Sequence, residues 1–148
     1  MAGVGFKAVT GEIATGTSAK TLLQILAPAN QRLKVKEWSI SFTGVSNTGV
    51  PIKVDVLRQT TAGTMTSLTP VQGNNSDSET LQVTAQHTAT VEPTAGDVLF
   101  SEEVHPQYGY TWQAPFGDEI PVKGGSRLAI RVTAAASVSA IARFVGEE

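Results

Sequence analysis

Hydrophobic and polar residues alternate with a period of two along much of this chain. Alternate positions from Val50 to Val56 are aliphatic, and Leu128, Ile130 and Val132 repeat the pattern near the C-terminus. Successive side chains of a β-strand point to opposite faces, so this spacing predicts strands with one buried face. No window of about 11 residues carries the stripe of an amphipathic helix. The best helical candidate is a single turn within residues 62–68.

The parity of the hydrophobic positions changes within one long predicted strand. Leu33 and Val35 share one parity, whereas Trp38 and Phe42 share the other. A strand keeps the same buried face across such a change only if one extra residue is inserted. We therefore predict a β-bulge near residues 36–37, and we assign Trp38 and Phe42 to the core.

Turn signals divide the chain into short strands. The 14 Gly and 7 Pro are spread along the sequence, and Thr and Val, which favour strands, are abundant. Strands are predicted at residues 20–27, 31–43, 50–59, 80–91, 97–104, 108–115, 127–133 and 137–145. Turns are expected at residues 44–49 and at Gly124–Gly125, the latter as a hairpin. About eight antiparallel strands are typical of a two-sheet sandwich, most often a jelly roll, so we predict an all-β, single-domain antiparallel sandwich spanning residues 20–148.

The first 19 residues differ from the rest of the chain. They are rich in Gly, Ala and Thr, and after Met1 their only bulky apolar side chains besides Val are Phe6 and Ile13. We interpret residues 1–19 as a flexible N-terminal arm outside the core. Such an arm could add a strand to the sheet edge of a partner, with Phe6 and Ile13 as anchors.

Composition and charge exclude several classes of protein. Charged residues make up 16% of the chain, the net charge is -2, and the sequence contains no cysteine. A pI of about 5.7 is far below that of a cationic nucleic-acid binder. The missing thiols exclude disulfides, a cysteine nucleophile and a zinc-thiolate centre. No apolar run is long enough to span a membrane and no signal peptide is evident, so we expect neither a nucleic acid nor a membrane as partner.

Few residues suggest catalysis. Glu103 and His105 would share one strand face, but a metal site requires at least three protein ligands, and His87 is the only other histidine. The Gly124–Gly125 pair is not followed by a helix, so it lacks the dipole of a phosphate-binding loop. Glu102 and Glu103 are sequence neighbours and point to opposite faces of a strand, so they are poor candidates for an acid–base pair. We therefore expect no enzyme activity, no metal and no cofactor; a cupin-like enzyme is the least favoured hypothesis.

Three aromatic residues alternate in the segment before residue 115. Tyr108, Tyr110 and Trp112 would line one face of a strand. Aromatic residues make up only 6% of the chain, which favours a core position for Tyr110 and Trp112. If this face were exposed, it could stack on sugar rings. A carbohydrate-binding jelly-roll module, such as an adhesin or fibre domain, is therefore the alternative hypothesis.

Several segments, in this order, resemble the head decoration (cement) proteins of tailed bacteriophages. They are residues 35–42 (VKEWSISF), 57–64 (LRQTTAGT), 92–99 (EPTAGDVL), 124–133 (GGSRLAIRVT) and 142–144 (ARF). The resemblance implies a β-sandwich on the outer surface of the virion capsid, made in the host cytoplasm, that binds the major capsid protein and bridges neighbouring subunits. It also implies a homotrimer, with a dimer as the alternative. It supplies no catalytic motif.

Overall fold

Thirteen β-strands form the regular structure of the residues described here, which are 3–43, 50–76 and 78–148. The structure is a computed structural model. In chain order the strands are β1 (Gly5–Val9), β2 (Ile13–Ala14), β3 (Lys20–Leu26), β4 (Leu33–Phe42), β5 (Ile52–Gln59), β6 (Thr64–Leu68), β7 (Val71–Gln72), β8 (Thr84–Val91), β9 (Ala95–Val104), β10 (Tyr110–Gln113), β11 (Ile120–Val122), β12 (Arg127–Thr133) and β13 (Ser139–Glu147). Within the described ranges, no helix is long and apolar enough to cross a membrane. The turn predicted at residues 44–49 lies outside the described residues.

The strands form two antiparallel sheets, as predicted. The first sheet has the order β10-β4-β13-β1-β7, with β11 also paired to β4 and β2 to β13. The second has the order β6-β8-β3-β12-β5-β9. We count β1 with β2 as one interrupted strand, and β10 with β11 as another. One sheet then has the core order β1-β13-β4-β10, and it faces a sheet with the core order β3-β12-β5-β9. These are the strand orders of a jelly roll. The count exceeds eight because of these interruptions and because β6, β7 and β8 are inserted between β5 and β9.

The inserted strands extend the sandwich beyond the jelly roll. In the second sheet, β12 and β3 lie between β5 and β8. The chain therefore passes over the outer face of this sheet once between β5 and β6 and again between β8 and β9. Residues 60–63 and 92–94 make these two crossings side by side, and the Thr60 amide donates to the Thr94 carbonyl at 3.0 Å. The helical turn predicted within residues 62–68 is wrong, because Thr64–Leu68 is strand β6 and pairs with β8.

A polar network lies buried beneath these crossings. The Gln24 side-chain amide donates to Gln59 Oε1 at 2.7 Å and to the Thr61 carbonyl at 3.1 Å. Gln59 in turn donates to the Thr21 hydroxyl at 2.8 Å, and that hydroxyl donates to Glu92 at 2.7 Å. Because buried polar groups require partners, this network fixes the path of both crossings over the sheet.

The bulge predicted in β4 is confirmed. Glu37 pairs with Val145 and Val35 pairs with Gly146, so Lys36 is an extra residue opposite a continuous β13. The hydrophobic positions change parity at this point, and Leu33, Val35, Trp38 and Ile40 are therefore all buried.

The N-terminal arm is a wrong prediction. Gly5–Val9 forms β1, which pairs with both β13 and β7. Phe6 is 1% exposed and Ile13 is buried, so both belong to the hydrophobic core. As core residues, neither is available in this structure to anchor the chain in a partner's pocket. The sequence pattern of β1 was hard to recognise because its buried face consists only of Phe6 and the small residue Ala8.

Candidate interaction surface

The open side of the sandwich, between the edge strands β9 and β10, is filled by aromatic side chains. The rings of Trp38 and Tyr110 have their centroids 5.2 Å apart, and those of Phe100 and Trp112 lie 4.8 Å apart. Trp38 also contacts Phe100, at 5.8 Å. These tilted arrangements and separations are favourable for aromatic pairs. The cluster therefore joins the two sheets at their exposed edges.

The predicted core aromatics differ in depth. Trp38 is completely buried, as predicted. Phe42, Tyr110 and Trp112 pack against the core but are only half-buried. Trp112 is paired directly with Trp38 in the ladder and therefore faces the interior, but β10 is an edge strand, and no other strand of the described ranges pairs with its outer side.

Tyr108 does not share the strand face predicted for it. Its amide donates to the His105 carbonyl at 3.0 Å, so it belongs to the turn that precedes β10. The side chain is 85% exposed, and its ring contacts that of His105 at 5.3 Å.

An exposed apolar groove, here called the aromatic groove, opens beside Trp112. Its volume is about 280 Å³, and it is lined by Arg58, Leu99, Phe100, Trp112, Asp118, Glu119, Ile120 and Pro121. Large exposed hydrophobic side chains concentrate in the same part of the chain: of eight among the described residues, four lie between residues 98 and 116 (Val98, Leu99, Tyr108 and Phe116).

Phe116 projects from a tight turn next to this groove. The Asp118 amide donates to the Pro115 carbonyl at 2.9 Å, and Gly117 has a φ of +87°, which only glycine adopts readily. Proline before and glycine after Phe116 thus hold the backbone in a turn that leaves the ring fully exposed. An exposed aromatic ring of this kind can bury a large apolar area on a partner.

A second cavity, here called the basic pocket, lies where the loop before β4 meets the connection between β11 and β12. Its volume is about 430 Å³, and it is lined by Arg32, Arg58, Pro121, Lys123, Gly124 and Ser126. It shares Arg58 and Pro121 with the aromatic groove, so the two are contiguous.

Close contact between two backbone segments shapes this pocket. A Cβ on Gly124 would lie 2.9 Å from the Ala29 carbonyl oxygen, so a side chain at this position would push the loops apart. The Gly125 amide donates to the Ala27 carbonyl at 3.0 Å, and the Ser126 amide to the Lys123 carbonyl at 2.9 Å. The Gly124–Gly125 pair is thus a turn, but the hairpin prediction is wrong, because β11 and β12 belong to different sheets.

Ion pairs occur elsewhere in the described structure, but none includes a cation of the basic pocket. Arg131 binds Asp55 at 3.0 Å, Lys36 binds Glu147 at 2.9 Å, and Arg143 contacts Glu37. Arg58 donates a single long hydrogen bond, of 3.4 Å, to the Pro121 carbonyl.

The residues considered for metal binding do not come together. Glu103 is exposed on β9, whereas His105 follows the strand and its Nδ1 accepts a hydrogen bond from the Gln107 amide at 3.2 Å. His87 lies on β8, where its Nδ1 is 2.8 Å from the Thr88 hydroxyl. No group of three or more potential metal ligands occurs in the described part of the chain.

Comparison with models of protein families gives no match, and no significantly similar chain was found among curated proteins or solved structures.

Sequence reasoning did not find the basic pocket. Its three cations are far apart in the sequence: Arg32 directly precedes β4, Arg58 lies near the end of β5, and Lys123 directly follows β11. A local signal was present for the exposed Phe116, since a bulky residue between Pro115 and Gly117 occupies a tight-turn position where burial is rare.

Proposed function

We propose that this chain is a structural decoration protein that binds the outer surface of a phage head and bridges neighbouring major capsid subunits. The observation that carries this proposal is the concentration of exposed apolar side chains along β9 and the turn at residues 115–118. Exposed apolar patches beside a rigid framework are typical of protein contact surfaces. Low surface charge favours such contacts over ion pairs, which contribute little when exposed.

The sequence resemblance supports the same proposal. Residues 35–42 and 124–133 lie mainly on β4 and β12, which are interior strands of the two sheets. Residues 57–64 and 92–99 include the two crossings that lie side by side over the second sheet. The similar segments thus belong to the strands and crossings that form the framework of the fold.

A homotrimer, with a dimer as the alternative, also belongs to this proposal. A closed ring of copies would repeat the same weak contact several times, and such multivalency makes a modest surface sufficient for stable attachment.

The proposal is tested on native particles from cells that produce the chain. We expect cryo-electron microscopy to show jelly-roll density on the outer surface of the head, in contact with more than one capsid subunit. Phe116→Ser should reduce the occupancy of this density, whereas Val71→Ser, which changes an exposed residue on β7, should not. Particles that carry no such density, although the cells contain the protein, would overturn the proposal.

A carbohydrate-binding function is the alternative, and one observation favours it. Trp112 is half-buried and lines the aromatic groove together with Asp118 and Glu119. An aromatic face beside carboxylates could stack on a sugar ring and accept hydrogen bonds from its hydroxyls. If Trp112→Ala abolished glycan binding while particles from the same cells carried no density, this alternative would replace the first proposal.

A further inference from the structure

We propose that the basic pocket binds the carboxylate groups of a short acidic polypeptide segment, whose apolar neighbours occupy the adjoining aromatic groove. The inference deepens the proposed function, on which it rests, because it assigns a chemical character to the partner surface. It begins from charge: three of the eleven Lys and Arg residues line this one pocket, in a chain whose net charge is -2.

The three cations are available to a ligand. Among the described residues, no carboxylate lines the pocket, and Arg32, Arg58 and Lys123 take part in no ion pair. Arg32 and Lys123 are exposed, and Arg58 is half-buried at the junction with the aromatic groove. Three like charges around one cavity repel each other, and a bound anion would relieve that repulsion.

The donors suit a carboxylate. An arginine guanidinium can bind a carboxylate through two parallel N–H···O hydrogen bonds, and the ammonium group of Lys123 adds a point charge. Ser126 also lines the pocket.

The neighbouring charges limit the ligand to a short anionic segment. Beyond Arg58 and Pro121, the lining of the aromatic groove includes Asp118 and Glu119. A long polyanion, such as a nucleic acid, would extend past the pocket onto these carboxylates and be repelled. A segment with one or two carboxylates next to an apolar side chain matches both cavities. The carboxylates would bind in the basic pocket, and the apolar side chain would contact Leu99 and Trp112 in the aromatic groove.

The test uses the full chain and the blocked peptide acetyl-Leu-Glu-Glu-Phe-amide, with acetyl-Leu-Gln-Gln-Phe-amide as its neutral analogue. Binding is followed at low ionic strength by the backbone amide NMR signals of Gly124 and Ser126. We expect the acidic peptide to bind at least about tenfold more tightly than the neutral one. The double variant Arg32→Gln/Lys123→Gln should remove this preference, whereas Lys53→Gln, which removes an exposed cation from β5, should retain it.

Several outcomes would overturn the inference. Equal affinity for the two peptides would exclude carboxylate recognition, and equal losses in the double variant and in Lys53→Gln would indicate an effect of net charge alone. Tighter binding of inorganic phosphate or of polysialic acid than of the acidic peptide would assign the pocket to another anion. If native particles carry the protein but the double variant decorates them to the same extent, this inference fails while the proposed function stands.

Discussion

Phe6 on β1 lies directly opposite Gly146 on β13, and its ring occupies the space that a side chain at Gly146 would fill. A Cβ built on Gly146 would be 3.0 Å from two carbon atoms of the Phe6 ring. The N-terminal segment is therefore part of the core, where an aromatic ring packs on a glycine of the C-terminal strand.

Replacing Phe6 should destabilise the whole domain. Phe6→Ala removes a buried aromatic side chain and leaves a cavity between β1 and β13, so we expect the free energy of unfolding to fall by about 3–5 kcal/mol. Lys7→Ala, an exposed change on the same strand, should alter it by less than about 0.5 kcal/mol. Denaturant titrations of both variants provide the measurement. Equal stability of Phe6→Ala and the original chain would show that residues 5–9 form an independent arm.

Gly146 provides a complementary prediction. Its Cβ would also collide with the backbone carbonyl oxygen of Lys34, which cannot rotate away. We therefore expect Gly146→Ala to cost about 1–3 kcal/mol, as overpacking does in other cores. Gly11→Ala is the matched control, since no atom lies within 4 Å of its Cβ position. Thermal unfolding midpoints that fall equally for the two variants would contradict the close contact.

The two tryptophans should differ in solvent access. Trp38 is completely buried, whereas Trp112 is half-buried at the edge of the sandwich. Trp38→Phe leaves Trp112 as the sole tryptophan, and Trp112→Phe leaves Trp38. We expect acrylamide to quench the fluorescence of the first variant strongly and of the second weakly. Similar quenching in both would place Trp112 inside the core or Trp38 outside it.

Periodicity predicted the sandwich and even the position of the bulge, because both depend on which parity of a strand is buried. Trp38 could be assigned to the core because Ile40 and Phe42 follow it at spacings of two. The same reasoning failed for Phe6, where the buried face of β1 consists of one large residue and Ala8. A two-residue pattern among small side chains is too short to distinguish a strand from an arm.

The candidate surfaces were not predictable for a different reason. Arg32, Arg58 and Lys123 converge through the jelly-roll connections, and the pairing of distant strands is not encoded in local pattern. The half-exposure of Trp112 depends on β10 being an edge strand, which is likewise a property of topology. The alternation of residues along the strand predicts that Trp112 faces the interior, but it does not predict whether a further strand covers the side chain.

The bulge in β4 has an electrostatic consequence that titration can measure. The inserted residue, Lys36, lies with its ammonium 2.9 Å from Glu147 Oε2. A hydrogen bond from Lys36 lowers the pKa of Glu147 below its ordinary value, burial opposes this effect, and the charges of Lys36 and Lys34 lower the pKa further. The carboxylate is therefore bound more favourably in the folded chain than in the unfolded one.

Lys36→Met should remove most of this effect. We expect NMR titration to show the pKa of Glu147 rising toward its ordinary value in Lys36→Met and remaining low in Lys53→Met, where the lost cation does not contact Glu147. Because the folded pKa is depressed, the ion pair stabilises the protein above the unfolded pKa and is lost as the pH falls through the folded pKa. Loss of this ion pair should therefore lower the free energy of unfolding of Lys36→Met at neutral pH, and this contribution should disappear in acid. A Glu147 pKa that is unchanged in Lys36→Met would show that the bulge does not hold the two side chains together in solution.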